Sequence, residues 1–143
     1  MRRITTAVDI GASSAEVWRV LADFATYPDW NPFIRRIEGE PRVGARLRVT
    51  AQPAGRRSMT FKPTILVAEP ERELRWLGRI LLPGVFDGEH AFIIEPKHDG
   101  CHLRHEESFR GLLVPLFAGM LGDTERAFIA MNDALKRRVE ARR

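Results

Sequence analysis

The first ten residues alternate in character. Ile4, Thr6, Val8 and Ile10 share one face of a period-two pattern, which predicts a strand that Gly11 ends. Ser13 stands three residues before Glu16, the spacing of a capping box, so a helix is expected over residues 14–24. Val17, Leu21 and Phe24 form its stripe, with Trp18 beside it, and Pro28 and Pro32 stop any continuation. Residues 34–111 carry turn-forming clusters at 40–44, 52–56, 69–73, 82–86 and 97–101, which predicts an antiparallel meander. In residues 114–142, Leu116, Met120, Phe128, Met131, Leu135 and Val139 recur at three- and four-residue steps. That spacing predicts a long helix with Pro115 in its first turn. Its first half, "LVPLFAGMLG", is apolar nearly all round, so it must be enclosed or line a cavity, with Gly119 and Gly122 permitting close approach to the sheet or a bend.

The hairpin at "HDGC" predicts a register. If Asp99-Gly100 is the two-residue loop, His98 faces Cys101. Glu95 then meets Arg104 and Glu89 meets Arg110 on one face. The other face pairs Phe92 with Glu107, Ile94 with His105, Pro96 with Leu103, and His90 with Phe109. One loop assumption thus sorts charges outward and apolar groups inward, and a one-residue slip would destroy both patterns. The preceding strand puts Leu74, Trp76, Gly78 and Ile80 on the inward face, and the one before it Phe61, Pro63, Ile65 and Val67.

The length of 143 residues suits a single domain, residues 1–143. No apolar run approaches the roughly 20 residues that cross a bilayer, and the N-terminal segment lacks the apolar block of a signal peptide. Cys101 is the only cysteine, so no internal disulfide is expected and a reducing, cytoplasmic location is. The net charge of +4 comes from arginines spread along the chain; the one dense run, "KRRVEARR" at 136–143, reads as a solvated helix end. Neither nucleic acid nor integral membrane association is expected.

Strand, short helical pair, meander and long helix occur here with "SSAEVWRVLADFATYPDWNPFI", "LRWLGRI", "GEHAFIIEP", "RHEESFRGLL" and "AFIAMNDALKRRVE" in order. In these segments the chain resembles the START/Bet v 1-like superfamily (SRPBCC), and within it polyketide cyclase/dehydrase-type proteins, over nearly its whole length. The resemblance implies an α+β helix-grip fold: a curved seven-stranded antiparallel sheet around a long C-terminal helix, two short helices after the first strand, and a cavity between sheet and helix. Trp30 and Phe33 would then frame one end of the cavity, or simply seal the core there. The resemblance supplies no fixed catalytic set.

The inward face carries His90, His105 and Glu107 among apolar residues. Positions two apart on a strand share a face at about 6.5–7 Å, so His105 and Glu107 project into one space. They can satisfy one another, anchor the polar end of a ligand, or do acid–base work next to a carbonyl. A metal site from His90, His105 and Glu107 is conceivable, but no H-E-x-x-H or paired cysteines support it, and no metal or cofactor is expected. His98 and His102 are expected outside the cavity. The first function reading is binding of a hydrophobic small molecule such as a lipid, polyketide, quinone or aromatic compound. Trp76, Phe92, Ile94, Leu103, Phe109, Leu116 and Met120 would line its cavity, together with Phe61 and Gly78. The second is a cofactor-free cyclase/dehydratase with Glu107 or His105 moving a proton. The third is a protein-interaction role through the sheet surface. A monomer and a homodimer remain open.

Overall fold

The computed structural model describes residues 1–53, 55–80 and 82–142. Its elements run β1 (Arg2–Ile10), α1 (Ser14–Leu21), a 3-10 turn (Phe24–Thr26), α2 (Tyr27–Trp30), β2 (Ile34–Glu38), β3 (Arg48–Ala51), β4 (Met59–Phe61), β5 (Thr64–Glu69), β6 (Glu73–Ile80), β7 (Phe86–Lys97), β8 (Gly100–Arg110), a 3-10 segment (Val114–Met120) and α3 (Leu121–Glu140). Five strands form one antiparallel sheet in the order β1-β8-β7-β6-β5, and β2-β3-β4 form a second. Helix α3 lies against β1, β8 and α1. Phe128, Met131, Leu135 and Val139 are buried on its sheet side.

The chain therefore has the expected helix-grip architecture, with eight strands among the described residues rather than seven. Pro63 explains the extra one. The segment expected as one strand breaks at Lys62-Pro63, where proline brings no N–H to a ladder. Phe61, Pro63 and Ile65 point inward or are half-buried as expected. A bulge between Ile65 and Val67 sets Val67 opposite Arg75 and returns Ala68 to the inner face opposite Leu74. The inward place expected for Ile80 concerns a side chain outside the described set, as does Arg143 in the basic run.

The capping box forms: the Ser13 hydroxyl accepts from the Glu16 N–H, and the Glu16 side chain accepts from the Ser13 N–H. Helix α1 stops at Leu21, earlier than expected, and Phe24 is buried from the 3-10 turn that follows. The Tyr27 hydroxyl donates to the Leu21 carbonyl at 2.5 Å. Its ring meets Phe24 and Trp30 edge-on. Asn31 Oδ1 accepts from the N–H groups of Phe33 and Ile34, turning the chain into β2. The prolines and aromatics of "YPDWNPF" thus build a rigid corner that delivers Phe33 to the interior.

The β7–β8 hairpin differs from its expected register. The loop is His98-Asp99, one residue earlier, because Lys97 pairs with Gly100. Gly100 serves a different purpose: it crosses the end of β1 at φ +152°, where a Cβ would overlap the Ile10 carbonyl. His90 consequently opposes Glu107, Phe92 opposes His105, Ile94 opposes Leu103 and Pro96 opposes Cys101. A change of two positions keeps every side chain on its expected face. Glu95 reaches Arg104 only diagonally, at 3.5 Å. Glu89 binds Arg75 on β6 at 2.7 Å instead of Arg110.

Candidate functional site

The inner faces of β6 and β7 are stacked in rows: Leu74 opposite Phe92, Trp76 opposite His90, then Gly78 opposite Gly88. At the glycine row both strands withhold a side chain, and a pocket of about 140 Å³ opens there. Phe33, Phe61, Trp76, Phe86, Phe109 and Met120 supply most of its apolar wall; Phe117, Met59 and Leu121 complete it toward the helix end. Glu107 is its one acidic group among the described residues, and His90, Arg79 and Thr124 are its other polar side chains. The two glycines are not equivalent. A Cβ at Gly78 would meet Phe61 at 3.5 Å, an ordinary contact, whereas one at Gly88 would lie 2.5 Å from Glu107 Oε2. Gly78→Ala is expected to raise stability by up to about 1 kcal/mol, and Gly88→Ala to forfeit that gain and displace the carboxylate. Urea unfolding of the two variants checks the difference; equal behaviour would contradict it.

Behind the pocket runs a continuous hydrogen-bond chain. Glu107 Oε1 lies 3.1 Å from His90 Nδ1, and His90 Nε2 lies 2.7 Å from His105 Nε2. His105 Nδ1 lies 2.8 Å from Asn132 Oδ1, and Asn132 Nδ2 donates to Thr6 Oγ1 at 2.9 Å. Thr6 in turn donates to the His105 carbonyl at 2.7 Å. His105, Asn132, His90 and Thr6 are all buried. The His105 ring is clamped between Phe128, at 4.0 Å with planes 4° apart, and Phe92, at 4.4 Å. Burial first, and the neighbouring His90 second, hold its pKa well below the ordinary histidine value, and the bond to Asn132 only partly offsets them. His90 stacks on Trp76 at 4.9 Å.

Of the residues expected at the site, the fold brings Phe33, Phe61, Trp76, Gly78, His90, Glu107, Phe109 and Met120 to the pocket. Phe92, Ile94 and Leu103 are buried in the core outside its lining, and Trp30 is half-buried behind Tyr27. His105 sits one layer deeper, reaching the pocket only through His90. Leu116 is corrected outright: it is 77% exposed, because a 3-10 segment and not an α-helix carries it, and Phe117 lines the pocket instead. The close approach expected at Gly119 is likewise absent, since a Cβ there would meet nothing within 4 Å. His102 bonds Asp9 on the outer face at 2.8 Å, as expected for a residue outside the cavity. Asn132 was missed, although the sequence signals it: it occupies a step of the helix stripe between Phe128 and Leu135, and every other buried residue of the helix is apolar.

A family model described as polyketide cyclase / dehydrase and lipid transport matches residues 1–140. The chain belongs to that family. No curated protein matches it. Solved structures of START and aromatase/cyclase proteins share the family's fold with this chain. A Mesorhizobium loti protein superposes with TM-score 0.76 at 19% identity, over 99% of this chain and 98% of that one. The Zhui aromatase/cyclase from Streptomyces sp. R1128 gives 0.76 at 23%, over 99% and 94%. A START superfamily protein from Mycobacterium smegmatis gives 0.74 at 21%, over 99% of each. At these identities the likeness concerns the fold. No helix among the described residues is long and apolar enough to cross a membrane.

Proposed function

We propose that this family member binds a hydrophobic small molecule in the pocket at the glycine row, with Glu107 and His90 engaging its polar end. The observation that carries the reading is the convergence of an apolar wall on a single carboxylate. A cavity of about 150 Å³ lined by apolar side chains holds a benzene-sized molecule. A pocket of about 140 Å³ therefore takes one ring of an aromatic or polyketide-like ligand, and the remainder extends past Phe117 and Met59. Native mass spectrometry of the purified protein, searching for a retained small molecule, tests this directly. Calorimetric titration with 2-naphthol is the companion test, with Gly78→Leu filling the pocket. Binding that survives Gly78→Leu unchanged would refute the reading.

The second reading, a proton-transferring cyclase/dehydratase, is favoured by the chain of side chains behind Glu107. A carboxylate backed by an imidazole is placed to take a proton from carbon next to a carbonyl and return it. With 2-tetralone in deuterated buffer, wild-type protein is then expected to accelerate exchange of the C1 hydrogen. Glu107→Gln is expected to lose that acceleration by about 10²-fold or more while affinity falls only modestly. No acceleration by wild type would leave binding alone.

A further inference from the structure

The directions of the hydrogen bonds around His105 are fixed from one end. A carbonyl oxygen only accepts, so the single hydroxyl proton of Thr6 is committed to the His105 carbonyl. Thr6 Oγ1 must then accept from Asn132, which sets the amide with Nδ2 toward Thr6 and Oδ1 toward His105. A flipped amide would set two acceptors face to face at Thr6. His105 therefore carries its proton on Nδ1 and, being neutral in its buried clamp, leaves Nε2 bare. The 2.7 Å contact between the two rings requires His90 to donate from Nε2. One position remains, the 3.1 Å contact between His90 Nδ1 and Glu107 Oε1. A neutral His90 facing an ionised Glu107 would oppose two lone pairs there. The contact is a hydrogen bond only with a proton between them, as imidazolium and carboxylate or as imidazole and carboxylic acid. In both forms Oε1 is occupied by that proton, and Oε2 lies beside Gly88 on the pocket floor as an acceptor.

We propose that Thr6 and Asn132 are positioning residues that fix the direction of this chain, so that the His90–Glu107 pair holds one proton between Nδ1 and Oε1 and presents Glu107 Oε2 to the pocket as an acceptor, which selects ligands bearing a neutral hydroxyl over isosteric carboxylates. A phenolic or enolic hydroxyl meets Oε2 as a donor in a charge-assisted bond. A ligand carboxylate would bring a second negative charge against the first, and one of the two must take up a proton before it binds. The same polarity accounts for the only modest loss of affinity expected of Glu107→Gln: the amide N–H would donate to a neutral His90 Nδ1, and the amide oxygen would face the pocket in place of Oε2.

The direction of the chain is tested without ligand, and the selectivity rests on the pocket reading above. Nitrogen-15 imidazole spectra of wild-type protein at pH 7 are expected to show His105 as the Nδ1–H tautomer and His90 with a protonated Nε2. Asn132→Leu is expected to let His105 populate the Nε2–H tautomer, a change that a purely structural role for Asn132 would not produce. A wild-type His105 protonated on Nε2 would overturn the proposal whether or not Asn132→Leu folds. In calorimetry at the same pH, wild type is expected to bind 2-naphthol at least tenfold more tightly than 2-naphthoate. Glu107→Leu is expected to abolish that preference. Equal binding of the two probes, for instance with naphthoate held by Arg79 at the rim, would also overturn the proposal. If neither probe binds, the proposed function fails, and the tautomers still decide the direction of the chain.

Discussion

Phe128→Ala is expected to lower folding stability by about 3–5 kcal/mol, the range for truncating a fully buried aromatic side chain. Phe128 is 0% exposed and stands where α3 meets both the sheet and the corner after α2. Its ring lies flat on His105 at 4.0 Å, 5.1 Å from His90, and 5.3 Å from Phe33. Truncation removes one side of the His105 clamp and opens a void beside the hydrogen-bond chain. The surrounding rings are held by strands and cannot close over it, which places the effect at the upper part of the range. Ile129→Ala serves as the control: the neighbouring side chain is 46% exposed, and its loss is expected to cost about 0.5 kcal/mol or less. Urea unfolding of both variants reads the difference through the midpoint at constant slope. A loss below about 1.5 kcal/mol for Phe128→Ala would mean that the clamp is not a packing element.

The sheet and its sidedness were legible because period-two alternation survives any even error in register. The hairpin shows this: the loop lies one residue earlier than expected, each partner moves by two positions, and His90, His105 and Glu107 still share the inner face. The placement of Gly100 was not legible. Its role is a close crossing with β1, a contact between residues about 90 positions apart in sequence. The pocket was only half legible for a related reason. The alternation puts Gly78 on the inner face, but the void comes from its pairing with Gly88, which only the β6–β7 register reveals. Leu116 was misplaced because the helical period was extended through a segment that winds as 3-10, where a three-residue turn brings Phe117 round to the pocket. Asn132 was not legible as a site residue because a helix stripe is defined by its apolar members, and the partners that hold this polar one, His105 and Thr6, lie on β8 and β1.

Folding stability is expected to fall as pH drops below about 6.5, the ordinary histidine value, with His105 as a principal cause. The native pKa of His105 is depressed by burial and by His90, while in the unfolded chain it titrates normally. Above the unfolded value both states bind the same number of protons at this site, and its contribution is complete. Below it the unfolded state takes up a proton that the native state refuses, so stability declines with falling pH until the depressed native value is reached. One proton corresponds to about 1.4 kcal/mol per pH unit. The neighbours that face His105 offer no acceptor for a second proton: Phe92 and Phe128 cover the ring, Asn132 Oδ1 already accepts from Nδ1–H and offsets the depression only in part, and His90 brings a donor to Nε2. Asp9, whose pKa is lowered by its hydrogen bonds to His102 and Lys97, acts only in the more acidic carboxylate range. Urea midpoints of wild type at half-unit steps from pH 7.5 to about 5 are expected to show this slope. His105→Phe is expected to flatten it by about one proton, whatever its stability at neutral pH. A wild-type curve that stays level across that window would show that His105 accepts a proton in place, and the fixed direction of the buried chain would go with it.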